Sequence, residues 1–141
     1  MERPQLTSGL LRPLEPKEAF MKHPLVLAYI GDTVYDLYMR TEAVRQSDAN
    51  VNALNRTVCA KVNARAQAQT VDKLLPLLQE EEKEVYRRGR NAKSGTVPKN
   101  MEIGDYHKAT GLEAVVGYLF LIGAYDRLEQ LFTSILDESG E

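Results

Sequence analysis

Leu27–Arg40, with the sequence LAYIGDTVYDLYMR, decides the fold, because it predicts an amphipathic helix with a glycine and a carboxylate beside its apolar face. Its apolar residues recur at steps of three and four, at Leu27, Ile30, Val34, Leu37 and Tyr38. Gly31 inside a helix costs about 1 kcal/mol relative to alanine, a loss that we expect where another backbone or a ligand comes close. Asp32 follows it, and a carboxylate beside an apolar stripe is costly unless a cation meets it.

A second carboxylate interrupts an apolar helical pattern near the other end of the chain. Glu113 lies in ATGLEAVVGYLFL, between Gly111 and Gly117. If this helix packs against the first, Asp32 and Glu113 face each other. Two carboxylates about 4 Å apart repel by roughly 4 kcal/mol at an effective dielectric constant of 20, which a divalent cation or a shared proton would relieve. Ligands that are all oxygen atoms favour Mg²⁺, with Mn²⁺ as a substitute, over zinc.

The length and composition indicate one domain over residues 1–141, and the helical periodicities, without a convincing strand pattern, predict an all-α fold. A chain of 141 residues, 43% hydrophobic and 27% charged, is typical of a single globular domain. The net charge of −2 means that any surface for nucleic acid must be local. The single cysteine, the absence of a signal-peptide pattern and the absence of 18 consecutive apolar residues predict a cytoplasmic protein with no membrane partner. Residues 1–15 are expected to form a loosely ordered lead-in.

Several helix boundaries and burial states follow from local residue types. A short helix is predicted over Pro16–Met21, and His23 is expected to cap the next helix more often than to catalyse. Ser47 and Asp48 are the predicted N-caps of the helix after that. Cys59 lies in an apolar helical stretch and is predicted to be buried.

The chain carries a local concentration of positive charge after a helix predicted at Gln79–Arg90. The glutamates at 80–82 suit the start of that helix, and the arginines near its end suit the helix dipole. Asn91–Tyr106 then lacks helical periodicity and is predicted to be a mobile basic loop. Tyr86–Met101 contains no acid, and we predict that its basic residues, with two ring residues just before the second site helix, contact RNA: Arg87, Arg88, Arg90, Lys93, Lys99, Tyr106 and His107.

The two carboxylate motifs together resemble the ribonuclease III domain family, and most closely its short class, mini-ribonuclease III. Ribonuclease III domains pair a helix containing Gly–Asp with a later helix beginning Glu–Ala–x–x–Gly. Both are present here, as Gly31–Asp32 and as Glu113–Ala–Val–Val–Gly117. The similarity covers residues 16–138 and includes RRGRNAKS at 87–94. The resemblance implies a helical endonuclease domain in which Asp32 and Glu113 hold a catalytic Mg²⁺.

The sequence departs from the larger members of the family at two further carboxylates. Ala28 and Thr110 occupy positions where full-length ribonuclease III has acids, as is usual in the short class. Thr110 could orient a water through its hydroxyl group. Asp36 could partly replace a lost carboxylate, although an outward-facing aspartate is the commoner case. We also expect the double-stranded-RNA-binding domain of the larger enzymes to be absent.

The resemblance implies hydrolysis of both strands of an RNA duplex, leaving 5′-phosphate and 3′-hydroxyl ends. The implied substrate is the precursor of large-subunit (23S) ribosomal RNA, with a ribosomal protein on the precursor as a candidate accessory partner. The implied homodimer uses the signature helix, and Tyr35, Leu37 and Tyr38 are interface candidates, with the intrachain core as the equal alternative. Two other functions stay open from the sequence: a catalytically inactive dimeric RNA-binding module, and a helical interaction protein without an RNA role.

Overall fold

The computed structural model describes residues 11–93, 97–99 and 101–137, and every long element in these ranges is an α-helix. This confirms the all-α prediction. A 3₁₀ turn at Leu75–Leu77, which contains Pro76, follows the fourth helix. The helices are α1 (Pro16–Phe20), α2 (Pro24–Gln46), α3 (Val51–Val62), α4 (Ala64–Leu74), α5 (Glu80–Asn91), α6 (Ile103–Leu121) and α7 (Tyr125–Leu136).

Helix α6 forms the centre of the molecule. It contacts α1, α2, α4, α5 and α7, and its most extensive contact is with α2. Its residues from Ala109 to Leu119 are all buried except Glu113, as expected for a helix that is apolar on nearly every side. Tyr35 of α2 and Phe132 of α7 complete the aromatic part of the core, with ring centroids 5.2 Å apart. The core helix therefore carries one of the two predicted site carboxylates.

Two glycines allow α2 and α6 to cross in backbone contact. A Cβ atom at Gly31 would lie 1.7 Å from the carbonyl oxygen of Glu113, and a Cβ atom at Gly117 would lie 1.9 Å from that of Leu27. Neither position leaves room for any side chain. The expectation that another backbone comes close at Gly31 is confirmed, and the glycine next to Asp32 brings its helix directly against the turn that carries Glu113.

The glutamates at 80–82 stabilise helix α5, as predicted. Glu82 and Gln79 form a reciprocal capping box at the helix start. Glu82 is 2% exposed and also binds Arg127 of α7 through two hydrogen bonds of 2.8 Å. Glu81 accepts a hydrogen bond from the hydroxyl of Tyr118. These contacts hold α5 against α6 and α7, so Glu81 and Glu82 belong to the scaffold.

Several local predictions need correction. Helix α6 begins at Ile103, so the segment without helical structure is shorter than Asn91–Tyr106. Exposed Ile103 and Gly104 hid this first turn, because neither contributes to an apolar stripe. The N-cap of α3 is Asn50, which accepts a hydrogen bond from Ala53 N, rather than Ser47 or Asp48.

Cys59 is exposed, contrary to the prediction. Of the residues of α3, only Val58 is buried, so most of the circumference of this helix faces outward. His23 does cap α2, since its Nδ1 accepts a hydrogen bond from Leu25 N at 3.0 Å. In the lead-in, residues 1–10 lie outside the described ranges, whereas Leu14 N donates to Leu121 O at 2.8 Å. Among the described residues, no helix is both long and apolar enough to cross a membrane.

Candidate active site

The carboxylates of Asp32 and Glu113 meet beside the glycine crossing of α2 and α6. Asp32 is exposed on α2, and Glu113 is largely covered on α6. The carboxyl group of Glu113 lies within hydrogen-bonding reach of Asp32. Two helices distant in sequence therefore place two acids at one point on the surface, as the sequence predicted.

The charge of Glu113 is costly in this position. Burial, the negative charge of Asp32 and a hydrogen bond with Asp32 together raise the pKa of Glu113 from 4.5 to about 8. A hydrogen bond from Gln67 acts in the opposite direction and lowers it. Two acids that repel each other at a partly buried site are typical of a position that binds a cation or shares a proton.

Gln67 is a site residue that the sequence analysis missed. It lies on α4, is 2% exposed, and its Nε2 donates a long hydrogen bond of 3.4 Å to Glu113 Oε2. A signal was present in the sequence, because Gln67 occupies the same helix face as apolar Ala64, Ala68 and Val71. A glutamine on a core-facing stripe needs a polar partner in the fold, and that partner is Glu113.

The two auxiliary candidates, Thr110 and Asp36, differ in burial and in their partners. The hydroxyl of Thr110 is buried and donates to Tyr106 O at 2.9 Å, so its proton is already used within α6. Only its lone pairs are left for a water. Asp36 forms an ion pair with Arg40 at 2.8 Å, one turn along the outer side of α2. This pair explains Asp36 without any part in the site.

The three interface candidates on α2 occupy three different environments. Tyr35 is 1% exposed and belongs to the core. Its hydroxyl faces Thr70 without a hydrogen bond of regular geometry, and burial raises the pKa of this phenol to about 12. Tyr38 stacks on Phe132 with ring centroids 4.1 Å apart. Leu37 is 60% exposed and is the candidate that remains free to contact a partner.

The arginines at the end of α5 differ in how firmly they are held. Arg88 donates to Phe20 O at 2.7 Å and to Lys22 O at 3.0 Å, and it lies over the Phe20 ring. Arg88 thus ties α5 to the end of α1 and is not part of the RNA surface that we propose. Arg87 pairs with Glu84 on the exposed side of its own helix, and exposed Arg90 lies over the ring of Tyr86.

The remaining predicted RNA contacts lie between α5 and α6 or within the first turns of α6. Lys93 and Lys99 are exposed, and residues 94–96 and 100 between and beside them lie outside the described ranges. Tyr106 and His107 are half-buried within α6, not before it, and their rings meet edge to face at 5.8 Å. Tyr106 and Glu113 are both on α6. They are seven residues apart, which is about two helical turns.

The sequence matches one family of known proteins. The ribonuclease III domain model matches residues 25–123, a range that includes both carboxylates. The chain is 51% identical over 108 residues to mini-ribonuclease 3 of Thermoanaerobacter sp. (strain X514), covering 77% of this chain and 76% of that protein. It is 43% identical to mini-ribonuclease 3 of Clostridium tetani, covering 82% and 77%.

A solved structure agrees with these sequence matches. A crystal structure of a Fusobacterium nucleatum protein superposes with a TM-score of 0.77 at 30% identity. The matched region covers 84% of this chain and 95% of that one. The structural match therefore extends over most of the chain, as the sequence matches do.

Proposed function

The chain belongs to the ribonuclease III domain family and is an endoribonuclease of double-stranded RNA, and from that premise we propose that Asp32 and Glu113 hold the Mg²⁺ needed for cleavage. The observation that carries this proposal is the meeting of the two carboxyl groups at the crossing of α2 and α6. The family assignment disfavours an inactive RNA-binding module and an interaction protein without an RNA role.

The donor set fits Mg²⁺. This ion takes oxygen ligands and is usually bound through only one or two carboxylates, since it keeps several of its waters. Within the described ranges, no group of three or more His, Cys, Asp and Glu side chains could hold a metal. The pair therefore suits a cation that needs few protein ligands, with Mn²⁺ as a substitute, better than a cation that needs a full protein cage.

The roles of the residues follow from their positions. When bound, the metal supplies charge neutralisation at the scissile phosphate and lowers the pKa of water. Asp32, being exposed, is accessible to an arriving duplex. Glu113, being held within α6, fixes the depth of the site. The products are expected to carry 5′-phosphate and 3′-hydroxyl ends, which the sensitivity of labelled products to phosphatase and ligase would establish.

Metal binding should be coupled to the ionisation of the Glu113 carboxyl group. In metal-free protein the folded-state pKa of about 8 exceeds the ordinary value of 4.5, so the fold favours the neutral acid. The stability of the metal-free protein should therefore fall, by a few kcal/mol, as the pH rises from about 4.5 to 8. Mg²⁺ binding at pH 7 should release about one proton, because the ligand must be ionised.

This linkage is measurable without activity. Calorimetry of Mg²⁺ binding in buffers of different ionisation enthalpy gives the number of protons released. Denaturant titrations in EDTA across the pH range give the stability profile. The Glu113→Gln variant is the control, since it should lack the part of this fall that Glu113 causes. A wild-type profile identical to that of Glu113→Gln would show that the acid is not perturbed.

We propose that exposed cations after α5 bind the phosphates of the duplex. Arg90, Lys93 and Lys99 support this proposal, because they are exposed and none forms an ion pair among the described residues. Arg87 can join them only by leaving Glu84. Tyr106 and His107 are proposed to contact RNA from the start of α6. A-form RNA is recognised by its shape and backbone, for which such a surface is suited.

Replacing Lys93 and Lys99 together by alanine should weaken duplex binding and reduce its salt dependence. Each lost phosphate contact reduces the magnitude of the slope of log affinity against log salt by about 0.9. The double variant removes at most two such contacts, so the magnitude of its slope should fall by up to about 1.8. Binding is measured in EDTA at several salt concentrations. Lys17 and Lys83, replaced together, remove equal charge elsewhere on the exposed surface. Equal slopes for both double variants would remove the two lysines from the interface.

We also propose a homodimer formed through the outer face of α2. This face carries Val26, Tyr29, Leu37 and Val44, which recur at helical spacing and are 49%, 80%, 60% and 64% exposed. An apolar stripe on the exposed side of a helix whose opposite side packs in the core is typical of an interface. A two-fold partner would supply the second site needed to cut both strands. A monomeric mass in sedimentation equilibrium at micromolar concentration would contradict it.

The physiological substrate is proposed on resemblance to the short class alone. We propose that the enzyme matures the ends of the 23S ribosomal RNA precursor, with a ribosomal protein on that precursor as a candidate partner. A cell depleted of the protein should accumulate 23S precursors with paired ends intact. Normal 23S ends after depletion would contradict this assignment while leaving the nuclease activity standing.

A further inference from the structure

The burial of Gln67 is unusual for a residue of its type. It comes from α4, is 2% exposed, and lies among the buried residues Ala64, Ala68 and Val71. Burying an amide costs free energy unless hydrogen bonds replace its contacts with water. An apolar residue would fill this position with less cost to the fold. The amide therefore calls for an explanation in what it touches.

The side chain of Gln67 makes one polar contact within the described residues, and that contact is to Glu113. Its Nε2 donates to Oε2 over 3.4 Å. A donor on this oxygen restricts the orientation of the Glu113 carboxyl group. Gln67 is therefore placed to orient the site carboxylate from within the core.

We infer that Gln67 is a positioning residue, which holds the Glu113 carboxylate aimed toward Asp32 so that the pair can accept a divalent cation. This inference rests on the proposed metal site. The position of Gln67 suits the role, because α4 packs directly on α6 and a buried side chain has few alternative rotamers. Gln67 acts through Glu113 and touches neither RNA nor the reacting phosphate.

The test replaces Gln67 by leucine, which keeps the size and removes the donor. Groups that orient a metal ligand typically contribute 10- to 100-fold to metal affinity. Gln67→Leu should therefore bind Mn²⁺ alone about 10- to 100-fold more weakly, as measured by electron paramagnetic resonance of the free ion. The Mg²⁺ concentration for half-maximal cleavage should rise by a similar factor, while kcat at saturating Mg²⁺ stays within a few-fold.

Two controls separate positioning from packing. Gln69→Leu makes the same change two residues away, at an exposed position of α4, and should leave metal affinity unchanged. The thermal midpoint of metal-free Gln67→Leu should equal or exceed that of the wild type, because a buried amide is replaced by an apolar group. Gln67→Met repeats the measurement with a more adaptable side chain should leucine prevent folding.

The outcomes are distinct. Weaker metal binding with retained stability supports the inference. Unchanged Mn²⁺ affinity in Gln67→Leu or Gln67→Met overturns it and makes Gln67 an ordinary buried amide. If wild-type protein binds Mn²⁺ no better than Asp32→Asn, the proposed metal site itself fails, and the role of Gln67 fails with it.

Discussion

Gly31→Ala is expected to destabilise the protein by about 3 kcal/mol or more, beyond the usual cost of overpacking a core. The new Cβ atom would lie 1.7 Å from Glu113 O and 2.8 Å from Gly117 N, both of which are backbone atoms. No rotamer change can relieve this overlap, so α2 and α6 must separate. Helix propensity acts in the opposite direction, because alanine is preferred over glycine by about 1 kcal/mol. Guanidinium denaturation followed by circular dichroism measures the net effect.

Two glycines of α6 provide a second damaging variant and a control. Gly117→Ala should be equally damaging, since its Cβ atom would lie 1.9 Å from Leu27 O. Gly104→Ala should leave stability unchanged or slightly raised, because nothing lies within 4 Å of that Cβ position. Equal denaturation midpoints for Gly31→Ala and wild type would show that the helices do not cross so closely. Cleavage should be lost with the fold in the two damaging variants.

The sequence was sufficient to predict the parts of the site that depend on local pattern. Gly31 and Asp32 stand together inside one helical repeat, and Glu113 interrupts another. A glycine that lowers helix propensity and a carboxylate that opposes burial are both visible without coordinates. Their proximity required only that the two most apolar helices pack together, and these two helices do form the most extensive contact.

The features of the structure that could not be predicted depend on contacts between residues that are far apart in the sequence. Arg88 and Lys99 are equivalent as charges in the sequence, yet Arg88 is tied to Phe20 O and Lys22 O, 68 and 66 residues away. Cys59 lies in an apolar stretch, but α3 packs too lightly to bury it. Gln67 is polar in the sequence and gains its meaning only from Glu113, 46 residues away. Long-range partners, rather than propensity, decide these cases.

Asp32→Asn and Glu113→Gln should each lower cleavage of an end-labelled RNA duplex by at least about 1,000-fold, or about 4 kcal/mol in the activation barrier. Each amide removes the negative charge that would hold Mg²⁺ and keeps the shape of the side chain. Neither variant should unfold, because each removes the repulsion that raises the pKa of Glu113. Duplex binding in EDTA and the mass of the assembly should therefore match those of the wild type.

Asp36→Asn is the matched control on the same helix. Asp36 pairs with Arg40 on the outer side of α2, so its loss should cost less than about 1 kcal/mol in stability, as for other exposed pairs. Cleavage by Asp36→Asn should stay near the wild-type rate. A defect in Asp36→Asn as large as that in Asp32→Asn would show that the active site extends along the outer side of α2.

Combining Asp32→Asn with Glu113→Gln distinguishes one shared site from two separate contributions. Residues that act as a unit show strongly non-additive losses. If both carboxylates serve one cation, the first substitution already removes the catalytic ion, and the double variant should be no slower than the slower single variant. Single-turnover rates with Mg²⁺ in excess give this comparison directly. Losses that multiply instead would mean that Asp32 and Glu113 act on different steps, and the shared metal site would have to be abandoned.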